Sequence, residues 1–193
     1  MENGSRVMSN GWKVEVLDCY KDFAPPKWIS RSLSRLINGI PQQYINGLHS
    51  IKLTNASGLN HSLRRKKTIS QKKKVSVKDC RGLYHQKWHD NPATIELFVD
   101  NIISQWPKII LTVPLFQDIL LADVLYHEVG HHIHKTSAPE HREREEVAED
   151  WKKKLERQYF RQSYNWLIPI VVALRPLTDM LLRMARLRQK SAK

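Results

Sequence analysis

The chain has 193 residues, of which 41% are hydrophobic and 26% charged, enough for a domain with a true core and unlike a polytopic membrane protein or a wholly disordered chain. Its two cysteines, Cys19 and Cys80, stand far apart with no C-x-x-C pair, which excludes a disulfide framework and a four-cysteine zinc site and suits a reducing, cytoplasmic compartment. The net charge of +13 is confined to two blocks: nine basic residues and one acid from Arg64 to Arg81, and five basic residues with no acid from Arg183 to Lys193.

No basic-then-apolar leader pattern opens the chain. Trp12 to Leu17 alternates apolar and polar residues and is expected to be a strand. Pro25-Pro26 ends it, and Ile29, Leu33, Leu36, Ile37 and Ile40 then recur at helical spacing behind a possible Ser30 cap. Pro41 stops that helix, a turn or short helix covers Gln42 to Asn46, and His49 to Thr54 alternates as a second strand. Residues 55–79 are polar and basic without periodicity, and are expected to form a flexible loop. Strand character returns at Gly82 to His85 and is clearest in Thr94 to Val99. A long helix is expected from Pro114 towards Lys135, and a charged one from about Pro139 to Tyr159.

Beyond residue 163 an extension is expected over 164–193, first apolar and then basic and helical. The apolar run Trp166 to Leu174 contains Pro169 and is closed by Arg175, far short of the roughly twenty residues that a spanning helix needs. The two basic blocks, 64–81 and 183–193, are solvated segments or contacts for a polyanion, either nucleic acid or an acidic membrane surface. Neither interleaves aromatic residues with its cations, so base stacking is not supported.

The long helix carries Tyr126-His127-Glu128-Val129-Gly130-His131-His132-Ile133-His134. His127 and His131 lie four apart, so their rings project from one face and can share a tetrahedral zinc ion. Glu128, beside the first ligand, is placed as the general base for a metal-activated water, the H-E-x-x-H arrangement. His134 lies two turns beyond His127, about 10 Å along the axis, too far to complete the same tetrahedron. The third ligand is then expected from Glu143, Glu145, Glu146 or Glu149 on the next helix.

Glu145-x-x-Ala148-Glu149-x-Trp151 after H-E-x-x-H resembles the signature of ImmA/IrrE-type and HtpX-like zinc peptidases. Leu36 to Leu53 is also similar to the segment that opens small zincin domains, and the likeness spans roughly residues 28–160. The resemblance implies an α+β, zincin-like fold over residues 1–163. In it, a small, mostly antiparallel sheet packs on an active-site helix and a glutamate-bearing helix, and Thr94 to Val99 supplies the edge that takes an extended peptide. It makes Glu145 the third ligand of Zn2+, Ala148 the small residue at the helix contact, and Glu149 a partner of the ligands. A thermolysin-like E-x-x-x-D reading selects Glu146 with Asp150 instead.

The activity implied is metal-dependent hydrolysis of a protein or peptide substrate. Tyr84, His85 and His89 are candidates for a second oxyanion donor. The competing expectation is a binding or regulatory module on the same fold, or a DNA-associated protease, recruited to a polyanion by the basic segments. The sequence implies no oligomeric state.

Overall fold

The computed structural model describes residues 14–70, 73–138 and 144–167. The chain divides into two compact units, Met1–Arg157 and Gln158–Lys193. Most of the expected extension over 164–193 lies outside the described residues, as does Glu143. In the second unit Tyr159, Phe160 and Tyr164 stack with centroids 5.2–6.3 Å apart. No helix among the described residues is long and apolar enough to cross a membrane.

The first unit is α+β. Strand β1 (Glu15–Asp18), helix α1 (Trp28–Asn38) and strand β2 (Leu48–Thr54) form a parallel β-α-β unit in which Glu15 faces Ser50 and Asp18 faces Leu53. Helix α1 buries Ile29, Leu33, Leu36 and Ile37, the stripe expected from the spacing. It starts after Lys27, so Ser30 lies inside the first turn and does not cap it.

Residues 55–79, expected as a loop, contain regular structure: helix α2 (His61–Arg65) and an antiparallel hairpin of β3 (Lys67–Ser70) and β4 (Lys73–Ser76). Strand β5 (Gly82–His85) pairs antiparallel with β6 (Ala93–Phe98), and β6 pairs parallel with β2. The order is β1-β2-β6-β5.

Two of the three ladders in this four-stranded sheet are parallel among the described residues, so the sheet is mixed and the expectation of a mostly antiparallel one is corrected. The long connection through α1 returns the chain to the same end before β2, whereas before β6 strand β5 itself runs back and the short link 86–92 closes a hairpin. The expected edge is also corrected. Thr94 to Phe98 falls on the interior strand β6, between β2 and β5, Val99 opens the following helix, and the outer strands are β1 and β5.

Helix α3 (Val99–Ser104) follows β6 directly, and Asp100 accepts hydrogen bonds from the backbone of Ala56 and Ser57 at 2.8 and 2.9 Å. Helix α4 (Pro114–Ser137) opens on proline at its first turn, where the missing N–H has no helical partner to lose. It lies against α1: Arg35 donates two bonds to the buried Asp118, at 2.6 and 3.2 Å, and the Tyr126 hydroxyl donates to Leu36 O at 3.0 Å.

One sheet face is apolar, with Ile51, Leu53, Ile95 and Leu97 buried, while Lys52, Thr94 and Glu96 on the other are half-exposed. By register, Gly82 and Tyr84 of β5 share the apolar face with Leu97 and Ile95, the side taken by α4. Helix α5 (Glu145–Ser163) supplies the glutamates.

Candidate metal centre

His127 and His131 stand one turn apart on α4, their rings edge-to-face with centroids 4.8 Å apart and their Nε2 atoms 3.2 Å apart. Glu145, the first residue of α5, brings Oε2 to 3.3 Å from His127 Nε2 and 3.8 Å from His131 Nε2. Glu146 is not in this group; it lines a depression of about 560 Å³ that His127, Glu145 and Glu149 also border.

The helices approach closely enough for this because both contact residues are small. A Cβ on Gly130 would lie 2.5 Å from Ala148 O and 2.9 Å from Ala148 Cα. Helices α4 and α5 are thus in backbone contact between the histidines and Glu145.

The donor set could hold a metal ion, and its spacing is that of a tetrahedral site. Four ligands at about 2.0–2.1 Å in a tetrahedron place neighbouring donors roughly 3.3 Å apart, and the observed separations are 3.2, 3.3 and 3.8 Å. Glu145 Oε2 is buried and accepts no hydrogen bond among the described residues, a costly state for a carboxylate oxygen unless a cation answers it. Burial, then the neighbouring His131, holds His127 below the ordinary imidazole value of 6.5, so the ring is neutral near pH 7 and its nitrogens can bind metal.

The far side of His127 is also arranged. Its Nδ1 lies 3.6 Å from Glu149 Oε2, and Glu149 Oε1 accepts from Lys152 Nζ at 2.9 Å. Lys152 donates on to Asp123 at 2.9 Å, and Asp123 accepts from Arg81 at 2.8 Å. The line Arg81–Asp123–Lys152–Glu149 alternates in sign and ends beside the His127 ring, with the Glu149 carboxylate on its Nδ1 side and Nε2 towards His131 and Glu145.

Burial alone would raise the Asp123 carboxyl, but Lys152 and Arg81 outweigh it and hold the group below its ordinary value. Burial would lower Lys152, and the Asp123 and Glu149 carboxylates outweigh that and raise it. The sequence reading missed Arg81, Asp123 and Lys152. Asp123 was signalled by being the acid in an apolar stretch of α4, one turn before His127.

Glu128 is buried and borders a cavity of about 40 Å³ with Arg81, Gly82, Asp123, His127 and Lys152, room for an ordered water. Strand β5 touches this carboxylate: a Cβ on Gly82 would lie 2.8 Å from Glu128 Oε1 and 2.7 Å from Val124 Cγ1. Arg81 O accepts from Phe98 N at 2.9 Å, so by alternation the backbone N–H and C=O of Gly82 turn to the outer edge.

The three candidate oxyanion donors are engaged elsewhere. His132 Nε2 donates to Asn46 O at 3.0 Å, which leaves Nδ1 to accept from the Tyr84 hydroxyl at 3.2 Å. Burial lowers His132 and keeps it neutral. His85 faces Glu96 at 3.3 Å on the opposite sheet face, and the exposed His89 packs edge-on against Trp88. His134 is buried, and among the described residues the group that could hold a metal ion is His127, His131 and Glu145. No protein-family model, curated protein or solved structure matches the chain.

Proposed function

We propose that the chain is a zinc-dependent metallopeptidase that hydrolyses peptide bonds in an extended segment of a protein substrate. The observation that carries this reading is the convergence of His127 Nε2, His131 Nε2 and Glu145 Oε2, 3.2–3.8 Å apart, beside a buried glutamate that follows the first histidine. When bound, zinc supplies Lewis acidity, lowering the pKa of a water to about 7 and polarising the scissile carbonyl.

Glu128 Oε1 would accept the proton from the attacking water and return it to the departing amine nitrogen. Its burial suits both steps by weakening the charged carboxylate's hydration. Gly82 contributes by having no side chain: it lets β5 lie against Glu128 and present backbone N–H and C=O to a peptide strand. Glu149 orients His127 through Nδ1, and Glu145 completes the ligand set from a second helix. Cys19 and Cys80 form no disulfide among the described residues, and a cytoplasmic, reducing setting is part of the proposal.

The test is Glu128→Gln against a proteome-derived peptide library. Retained zinc with cleavage reduced about 100-fold or more is expected from loss of a general base. Cleavage at the wild-type rate would overturn the assignment.

A further inference from the structure

Strand β5 is an edge of the sheet among the described residues. It is the edge that the proposed peptidase offers to its substrate, and the inference below rests on that reading. The strand is fastened to α4 at successive points that follow the same order along both. Arg81 donates to Asp123 at 2.8 Å, Gly82 leaves room for Glu128 and Val124, and the Tyr84 hydroxyl lies 3.2 Å from His132 Nδ1. From Gly82 to Tyr84 the strand advances about 6.8 Å, and from Glu128 to His132 the helix advances about 6 Å. Strand and helix thus stay in step along the turn that carries His127 and His131.

The Tyr84 fastening depends on the tautomer of His132, a side chain that is 1% exposed. Residues Ile45 to Leu48 form a turn in which Leu48 N donates to Ile45 O at 3.1 Å and Gly47 adopts φ +83°. Asn46 does not share the positive φ, so the turn is type II, with glycine at the position that requires it. Its central carbonyl, Asn46 O, takes no part in closing the turn and accepts from His132 Nε2 at 3.0 Å. A carbonyl cannot donate, so the proton sits on Nε2 and Nδ1 is left to accept from Tyr84. The two rings also meet edge-on, with centroids 5.6 Å apart.

We propose that Tyr84 and His132 are positioning residues for the substrate: they hold β5 at a fixed height over Glu128, so that a peptide paired with the Gly82 backbone meets the metal centre. Neither belongs to the group that could hold the ion. His132 directly follows the ligand His131, so one turn of α4 carries both a metal donor and the anchor of the substrate edge. The Asn46 turn in effect selects which nitrogen of His132 faces β5.

The experiment compares wild type with Tyr84→Phe, which keeps the ring and removes one hydroxyl. In the zinc-loaded full chain, calorimetry with acetohydroxamate reads the metal centre alone. Two trialanine hydroxamates, with the chelating group at opposite ends, read the metal centre and the peptide edge together. In wild type at least one of them is expected to bind about 10-fold or more tighter than acetohydroxamate, from two or three backbone hydrogen bonds. In Tyr84→Phe that advantage is expected to shrink about 5–10-fold, with zinc content and acetohydroxamate affinity unchanged.

Hydrogen exchange needs neither zinc nor probe. The amides of Leu83 and His85, which by alternation face β6, are expected to exchange about 10-fold faster in the variant. Unchanged exchange, or an unchanged trialanine advantage, would overturn the proposal. So would equal weakening of all three probes, the mark of a purely structural role at the metal centre. Acetohydroxamate bound equally by both proteins, with no trialanine advantage in wild type, would strike this inference alone. A wild-type chain that takes neither zinc nor acetohydroxamate would strike the peptidase reading, and the substrate role of Tyr84 with it.

Discussion

Gly130→Ala separates the effect of helix contact from that of helix propensity. In a solvent-exposed helix this change raises stability by about 0.5–1 kcal/mol. At Gly130 the added Cβ would meet Ala148 O at 2.5 Å and Ala148 Cα at 2.9 Å, and both are backbone atoms that no rotamer change can move. An ordinary carbon–oxygen contact needs nearly 1 Å more, so α5 must retreat by about that amount. Overpacking of this kind costs about 1–3 kcal/mol, which exceeds the propensity gain. The net expectation is a loss of about 1–2 kcal/mol, read as a lower urea midpoint by circular dichroism.

Glu145 travels with α5, so its carboxylate withdraws from the two Nε2 atoms that it now faces at 3.3 and 3.8 Å. Zinc affinity, measured by competition with a chromophoric chelator, is expected to fall together with stability. A variant as stable as wild type, or more so, with undiminished affinity would refute the claim that backbone contact at this point positions the ligand.

Lys152→Met breaks the charged line to His127 and leaves Glu149 and Asp123 without their shared cation; a fall in zinc affinity of about 10–100-fold is expected, largely restored by arginine at the same position. For Asp123, the folded carboxyl is held below its unfolded value of 3.8 by Lys152 and Arg81 against the effect of burial. The unfolded chain therefore binds the proton first as the solution is acidified. The stabilising contribution is complete above about pH 4 and is lost as pH falls through the folded value. Urea midpoints at a series of pH values are expected to fall less steeply below about pH 4 in Asp123→Asn than in wild type, and parallel curves would contradict the pairing.

The features legible in the sequence were those set by local spacing. Helical periodicity placed α1 and α4, and the four-residue interval between His127 and His131 was enough to put two imidazoles on one face. Pairing of strands was less legible. The β-branched and aromatic character of Thr94 to Val99 marks a strand and measures burial, which is greatest for an interior strand, whereas its place at the edge is what the family resemblance implies and the pairing does not follow. The edge beside Glu128, Gly82 to His85, is short, and its first residue is a glycine because Glu128 and Val124 occupy the space where a side chain would lie.

Residues 55–79 read as a loop because their hairpin rests on backbone hydrogen bonds and on the packing of Leu59 and Val77, neither of which leaves an apolar period. Helix α3 was hidden for the opposite reason, since Val99 continues the apolar run Leu97-Phe98 directly and the helix is only six residues long. The choice between Glu145 and Glu146 depended on where α5 begins and how closely it meets α4. Gly130 against Ala148 sets that approach, and their contact joins positions far apart in the chain. Lys152 carried no motif at all, and its place between Asp123 and Glu149 emerges from packing.

Metal content is the most direct test. Elemental analysis of the purified full chain is expected to give about one zinc per molecule in wild type and in Glu146→Gln, and close to none in His127→Ala and Glu145→Gln. A wild-type chain without zinc, or His127→Ala and Glu145→Gln variants that hold as much as wild type, would contradict the account.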